Sequence, residues 1–337
     1  MDDWLTAAQN MPAVLVTVAI AEGSVPREPG AKMLVGATSL HGTIGGGHLE
    51  HRAIAIARAM LAACDTAARL ERFALGPSLG QCCGGVAHLA FEAADAATLE
   101  QLRQRRNEDS WRLVALDGAA GTALFDGAGR QISGIDAPLF ARERGTYVMQ
   151  EQDGRRWLVD AVAAPRARLV LFGAGHVGAA IVRALADLPC RVTWVDERDD
   201  MFPPQVPDNV TVEATDTPEA LVAAAPAGAS FLVMTHSHAL DQRLSEAILA
   251  RPDAGWFGLI GSITKRKQFE HRLNARGLDA ARIAAMVCPI GLPGITGKAP
   301  AVIAASVAAQ LLGVWEAAAC ASAAEPCIRL VASAERT

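Results

Sequence analysis

The segment "GQCCGG" at 80–85 sets Cys82 and Cys83 side by side between glycines, a thiol pair that invites a chemical reading. A disulfide within the pair is a poor use of it, because neighbouring Cα atoms lie about 3.8 Å apart, below the roughly 4.4–6.8 Å of ordinary disulfides. Gly80, Gly84 and Gly85 instead free the backbone to turn N–H groups toward an anion. Such donors favour the thiolate over a thiol whose ordinary pKa is about 8.5, and so equip a sulfur to bind a metal or carry sulfur. A structural zinc site would need further ligands, and only His88 lies nearby, with no C-x-x-C partner. A soft thiolate pair suits a soft or sulfur-rich metal complex better than magnesium or calcium. The plain alternative is a pair of inert buried thiols acting as small hydrophobes.

"GTIGGGHLE" at 42–50 runs Gly45, Gly46 and Gly47 into a helix start, a cradle suited to a phosphate monoester. "GSVPREPGAKMLV" at 23–35 adds Arg27 and Lys32, which either complete an anionic pocket or stand as surface charges. His48, Glu50 and His51 open the helix, where Glu50 suits the positive end of the helix dipole.

Further along, "RLVLFGAGHVGAAIVRAL" puts Gly173, Gly175 and Gly178 in G-x-G-x-x-G register between an apolar strand and a helix. The first glycine permits a tight turn, the second lets backbone approach a pyrophosphate, and the third lets the helix pack on the strand. Asp196 ends the next strand, where an acid accepts from ribose hydroxyls, and His176 can reach a phosphate or a second ligand. Packing alone is the competing explanation of such a turn. "VMTHSHALD" at 233–241 places His236, His238 and Asp241 at a strand's carboxyl end, where they either hold a metal or bond one another and a nucleotide; the second reading is favoured. "GLIGSITKRK" reads as an anion site, a protein contact or a solvated basic helix face. "GLPGITGKAP" is no P-loop, since Leu292 falls on the first Walker glycine and Ala299 on the Ser/Thr.

Elements must position these groups. Strands are expected at 13–20 and 31–36, a helix at 48–63, a strand at 86–92, a helix at 96–105 and short strands to about 160, an α+β layout. Beyond a boundary near Pro165, strands at 168–172, 191–195, 210–213, 230–234 and 256–260 alternate with helices, the rhythm of a doubly wound parallel sheet. The expected fold class is therefore α/β, with domains at 1–160 and 166–320 and a tail at 321–337. With 337 residues and 51% hydrophobic composition the chain can fill two cores. A net charge of −5 shows no basic footprint for nucleic acid. Seven scattered cysteines fit a reducing cytoplasm rather than a disulfide framework. "VLVTVAI" at 14–20 reads as a buried strand rather than a signal core, and the alanine-rich run 299–324 as a packed helix rather than a membrane span.

The ordered motifs "GSVPREPGAKMLV", "GTIGGGHLE", "GQCCGG", "LFGAGHVG", "THSHALD", "GLIGSITKRK" and "PIGLPGITGKAP" resemble those of the XdhC/CoxI family, the xanthine dehydrogenase accessory proteins, over about residues 12–317. The resemblance implies an N-terminal XdhC/CoxI domain, a C-terminal Rossmann domain and a homodimer. It also implies a chaperone rather than an enzyme. Such a protein binds the molybdenum cofactor as molybdopterin, shields it while a cysteine desulfurase supports its sulfuration, and inserts it into apo-xanthine dehydrogenase. Cys82 and Cys83 carry over as the cofactor-handling pair and as ligands to molybdenum. In "KAPAVIA", Val302 stands where the family pattern has a glutamate, which removes any acid role there. A phosphate and a dithiolene-bound metal oxide ask for an anion cradle with soft groups nearby, so the loops at 42–50 and 80–85 are expected to converge on one pocket, at the face between the domains. Two other readings stand beside this one: an NAD(P)-dependent oxidoreductase using the 173–178 turn, with NAD or another nucleotide bound there, and a persulfide sulfur carrier using Cys82 or Cys83.

Overall fold

A computed structural model describes residues 3–7, 12–76, 84–117 and 121–324, arranged as two compact units, Met1–Ala164 and Pro165–Thr337. The first unit opens with α1 (Asp3–Thr6), β1 (Ala13–Glu22), β2 (Lys32–Gly36), β3 (Leu40–Gly42), α2 (Gly47–Ala62), β4 (Arg69–Ala74) and β5 (Val86–Ala93). These strands form an antiparallel sheet ordered β3-β2-β1-β5-β4. It continues through α3 (Ala96–Gln104), β6 (Ser110–Ala115), β7 (Thr122–Asp126), β8 (Gln131–Gly134), β9 (Tyr147–Gln150) and β10 (Arg156–Val162), giving a second antiparallel sheet ordered β8-β7-β6-β10-β9.

β1 is apolar almost throughout because it is buried on both faces. Val14, Val16 and Val18 pack with Leu49, Ala53 and Ala57 of α2, while Leu15 and Ala19 join clusters containing Leu124 and Leu158 of the second sheet. Four charges lie between the sheets. Lys32 Nζ is 2.7 Å from Asp160, Arg112 meets Glu92 at 2.5 Å and Asp160 at 3.3 Å, and none of the four side chains exceeds 8% exposure. Two of these contacts run from one sheet to the other, so the charges are balanced where water is absent. Burial raises the Glu92 carboxyl above its ordinary range despite Arg112 beside it.

The second unit contains β11 (Ala167–Phe172), α4 (His176–Ala184), β12 (Cys190–Asp196), β13 (Val210–Ala214), α5 (Glu219–Ala224), β14 (Ser230–Val233), α6 (His238–Ala250), β15 (Trp256–Leu259), α7 (Ile263–Ala275), α8 (Ala280–Ala285) and α9 (Pro300–Ala324). Its sheet is all-parallel and ordered β13-β12-β11-β14-β15. Residues of β11 alternate between two cores: Val170 and Phe172 pack with α6 and α7, Leu169 and Leu171 with α4 and α9. That two-sided burial is why its strands read as apolar runs. The fold is the expected α/β class, an α+β unit followed by a Rossmann-like doubly wound parallel sheet.

α9 continues to Ala324, past the expected domain limit at 320. Among the described residues it is the one helix long and apolar enough to cross a membrane. Its stripe of Ala304, Val307, Ala308 and Leu311 is spent in the core beside α4.

Candidate functional site

In the first unit, the segment joining β1 to β2 gathers two glycine loops. Gly85 N donates to Ser24 O at 3.1 Å, and a Cβ on Gly85 would stand 2.4 Å from Ser24 O and 2.5 Å from Glu22 O. Gly45 lies against the same segment, where a Cβ would stand 2.3 Å from Pro26 Cβ and 3.4 Å from Arg27 Cγ. The exit of the cysteine segment and the glycine run thus pack on one short stretch, residues 22–27. Cys82 and Cys83 themselves fall outside the described residues. Among the described residues no atom lies within 4 Å of a notional Cβ on Gly84 or Gly46; Gly46 and Gly47 do adopt positive φ, 73° and 65°.

Two expectations for this unit need correction. Lys32 does not supply a cofactor-binding cation: its ammonium is buried, paired with Asp160 and donating to Gly30 O at 2.9 Å. Nor is the cradle at 42–50 simply open, because Glu50 Oε2 accepts from Thr43 Oγ1 at 2.5 Å, Ile44 N at 3.0 Å and Gly46 N at 3.1 Å. The loop's inward amides already hold an anion of the chain's own. What remains for an external anion is the start of α2, which no side chain caps, and the half-buried Arg27, paired with exposed Glu28 at 3.4 Å.

In the second unit the glycine turn has the geometry its spacing predicts. Gly173 has φ 120°, and a Cβ on it would lie 2.4 Å from Met234 O; one on Gly178 would lie 2.1 Å from Gly173 O. Gly175, at an ordinary φ of −71°, meets nothing within 4 Å. Its lack of a side chain therefore answers to no neighbour among the described residues. Beside this turn is a shallow crevice open to solvent, lined by Val195, Asp196, Pro218, His236, Leu240 and Leu244.

Asp196 is not poised for ribose as expected. Its Oδ2 accepts from Ala174 N at 2.7 Å and Arg198 Nη2 at 3.1 Å, and its Oδ1 accepts from Arg198 N at 3.1 Å and Nε at 2.9 Å. Burial opposes its charge, but Arg198 and the Ala174 amide outweigh it and hold the carboxyl below the ordinary range. His176 is exposed at the start of α4, and His238 at the start of α6. His236 Nε2 stands 3.5 Å from Glu197. Asp241 leaves the histidines: it is fully buried, accepting from Thr235 Oγ1 at 2.7 Å and Lys265 Nζ at 2.6 Å. Among the described residues no group of three or more His, Cys, Asp and Glu is placed to hold a metal ion. Thr43, Arg198 and the Lys265–Asp241 pair were not singled out as partners from sequence. For Arg198 a signal existed, a cation two residues after the strand-end acid.

Residues 6–74 match the family model described as XdhC and CoxI family, and residues 169–311 the one described as XdhC Rossmann domain, together more than half of the chain. A protein of Escherichia coli (strain K12), described as uncharacterized protein YqeB, is 26% identical over 308 residues, which are 91% of this chain and 44% of that relative. The chain thus spans less than half the length of the curated relative it matches. A crystal structure described as a xanthine dehydrogenase from Bacillus halodurans superposes with a TM-score of 0.73 at 18% identity, covering 93% of this chain and 95% of that one. At that identity the likeness is one of fold.

Proposed function

This chain belongs to the XdhC and CoxI family, and from that premise we propose that it acts as an accessory protein of xanthine dehydrogenase rather than as an enzyme. In this reading the first unit holds the molybdenum cofactor in its molybdopterin form, protects it during sulfuration with a cysteine desulfurase, and inserts it into the apo-enzyme. The protein works as a cytoplasmic homodimer. The observation that carries the reading is the packing of Gly85 and of Gly45 on residues 22–27, which gives the cysteine loop and the glycine loop a common support.

The residues present fit such a group in part. Arg27 and the start of α2 at Gly47, which no side chain caps, suit its phosphate, and the thiols of Cys82 and Cys83 suit a soft metal centre. Lys32 and Glu50 take no part, being committed within the fold. When bound, the group supplies the molybdenum centre that the client enzyme uses. In the second unit the crevice at Gly173, Gly175 and Gly178 is the nucleotide site, supported by the open space in front of Gly175.

The test is to purify the chain from cells that make the cofactor and to quantify molybdenum and pterin in the native protein, Cys82→Ala and Cys83→Ala. Retention is expected to fall in the thiol variants. Equal retention in all three would remove the holding role from the sulfurs.

A further inference from the structure

The strand-end acid of the nucleotide crevice is saturated. A carboxylate has about four acceptor positions, and those of Asp196 are met by Ala174 N and by three groups of Arg198. Asp196 is buried with its side chain 3% exposed, whereas that of Arg198 is 38% exposed, so the guanidinium is the partner that can leave. The crevice that Asp196 lines is also lined by Val195, Leu240, Leu244 and Pro218, apolar groups of the kind that take a base.

We propose that Arg198 occupies the ribose position of the crevice as a built-in competitor, so that a nucleotide with a free 2′,3′-diol engages Asp196 only by displacing the guanidinium. The inference rests on the crevice being a nucleotide site, and it adds the ligand class. Asp196 and Glu197 both line the crevice, so a phosphate at the 2′ position would meet two carboxylates against the one guanidinium paired with Asp196. The crevice accordingly takes unsubstituted ribonucleotides and turns away 2′-phosphorylated ones. Breaking a charge-assisted bidentate pair offsets most of what the diol gains on Asp196. Diol recognition is therefore muted in the native chain and released when Arg198 is removed.

Calorimetric titration of the full chain with ADP, 2′,3′-dideoxy-ADP and 2′-phospho-ADP tests this. The ratio of dideoxy-ADP to ADP dissociation constants is expected to stay within about threefold for the native chain and to rise to about tenfold or more in Arg198→Ala, a change of about 0.7 kcal/mol or more. The double variant Arg198→Ala/Asp196→Asn should return it to about threefold, which ties the gain to the freed carboxylate. In the native chain 2′-phospho-ADP should bind more weakly than ADP. Using a ratio cancels the loss of general cation attraction, and circular dichroism of each variant verifies folding. A native ratio of ten, a ratio unmoved by Arg198→Ala, or preferred binding of 2′-phospho-ADP would overturn the competitor role while leaving the crevice a nucleotide site. Failure of all three nucleotides to bind any folded variant at millimolar concentration would overturn both readings. Cofactor retention by the first unit is a separate measurement.

Discussion

Replacing Lys32 by Met separates a structural lysine from a cofactor ligand. Met keeps the length and removes the charge, leaving Asp160 fully buried with Arg112 at 3.3 Å and Thr146 Oγ1 at 3.4 Å. The cluster then holds two carboxylates against one guanidinium. At an effective dielectric of about 20, a pair 2.7 Å apart attracts by about 6 kcal/mol, and desolvation of both ions consumes much of that. Removing one partner still leaves the other buried and uncompensated, which costs about 3–5 kcal/mol. For a unit of this size that corresponds to a fall in Tm of roughly 6–20 °C. Urea unfolding followed by the fluorescence of buried Trp111 and Trp157, with hydrogen exchange across β2 and β10 as the local readout, measures the loss. The double variant Lys32→Met/Asp160→Asn removes both charges and should be more stable than the summed single losses by roughly 1–3 kcal/mol. A Lys32→Met protein within about 1 kcal/mol of native stability that has lost its cofactor would refute the reasoning and restore Lys32 as a ligand.

Other outcomes follow from the same geometry. Gly85→Ala should destabilise the first unit by about 1–3 kcal/mol, because its Cβ meets backbone oxygens, whereas Gly84→Ala should fold normally and report on cofactor retention alone. Denaturant midpoints of both variants decide. The depressed Asp196 pKa means that the folded state binds fewer protons at this site than the unfolded chain, so its contribution to stability is complete above the ordinary carboxylate pKa of about 3.9 and fades as pH falls through the folded value. Asp196→Asn should flatten that part of the acid unfolding curve. Burial pushes the Cys190 thiol up to about 11 and also raises Cys288, while Cys64 and Cys320 are exposed. Maleimide labelling at pH 7.5, read by peptide mass spectrometry, should mark the exposed two and spare the buried two until denaturant is added; rapid labelling of Cys190 in the folded protein would contradict its burial.

Strands, helices and the glycine turn were legible from the sequence, because they follow from short-range rules. The apolar runs of β11 and β14 announce burial on both faces, and Gly178 is dictated by its contact with Gly173 within one strand–turn–helix unit. What the tertiary structure alone decided is how the charged side chains are spent. Lys32 and Arg27 look alike as cations in one loop region, yet Lys32 is drawn inward by Asp160 from a distant strand of another sheet while Arg27 stays half-buried on Gly45. Asp196 carries the signature of a ribose acceptor and is instead filled by Arg198 and Ala174, and Asp241 beside two histidines turns away to Lys265. A charge in a low-dielectric interior is governed by whichever opposite charge the fold brings within about 4 Å; for Lys32 and Asp241 that partner comes from a distant element, a proximity of packing which no local pattern encodes.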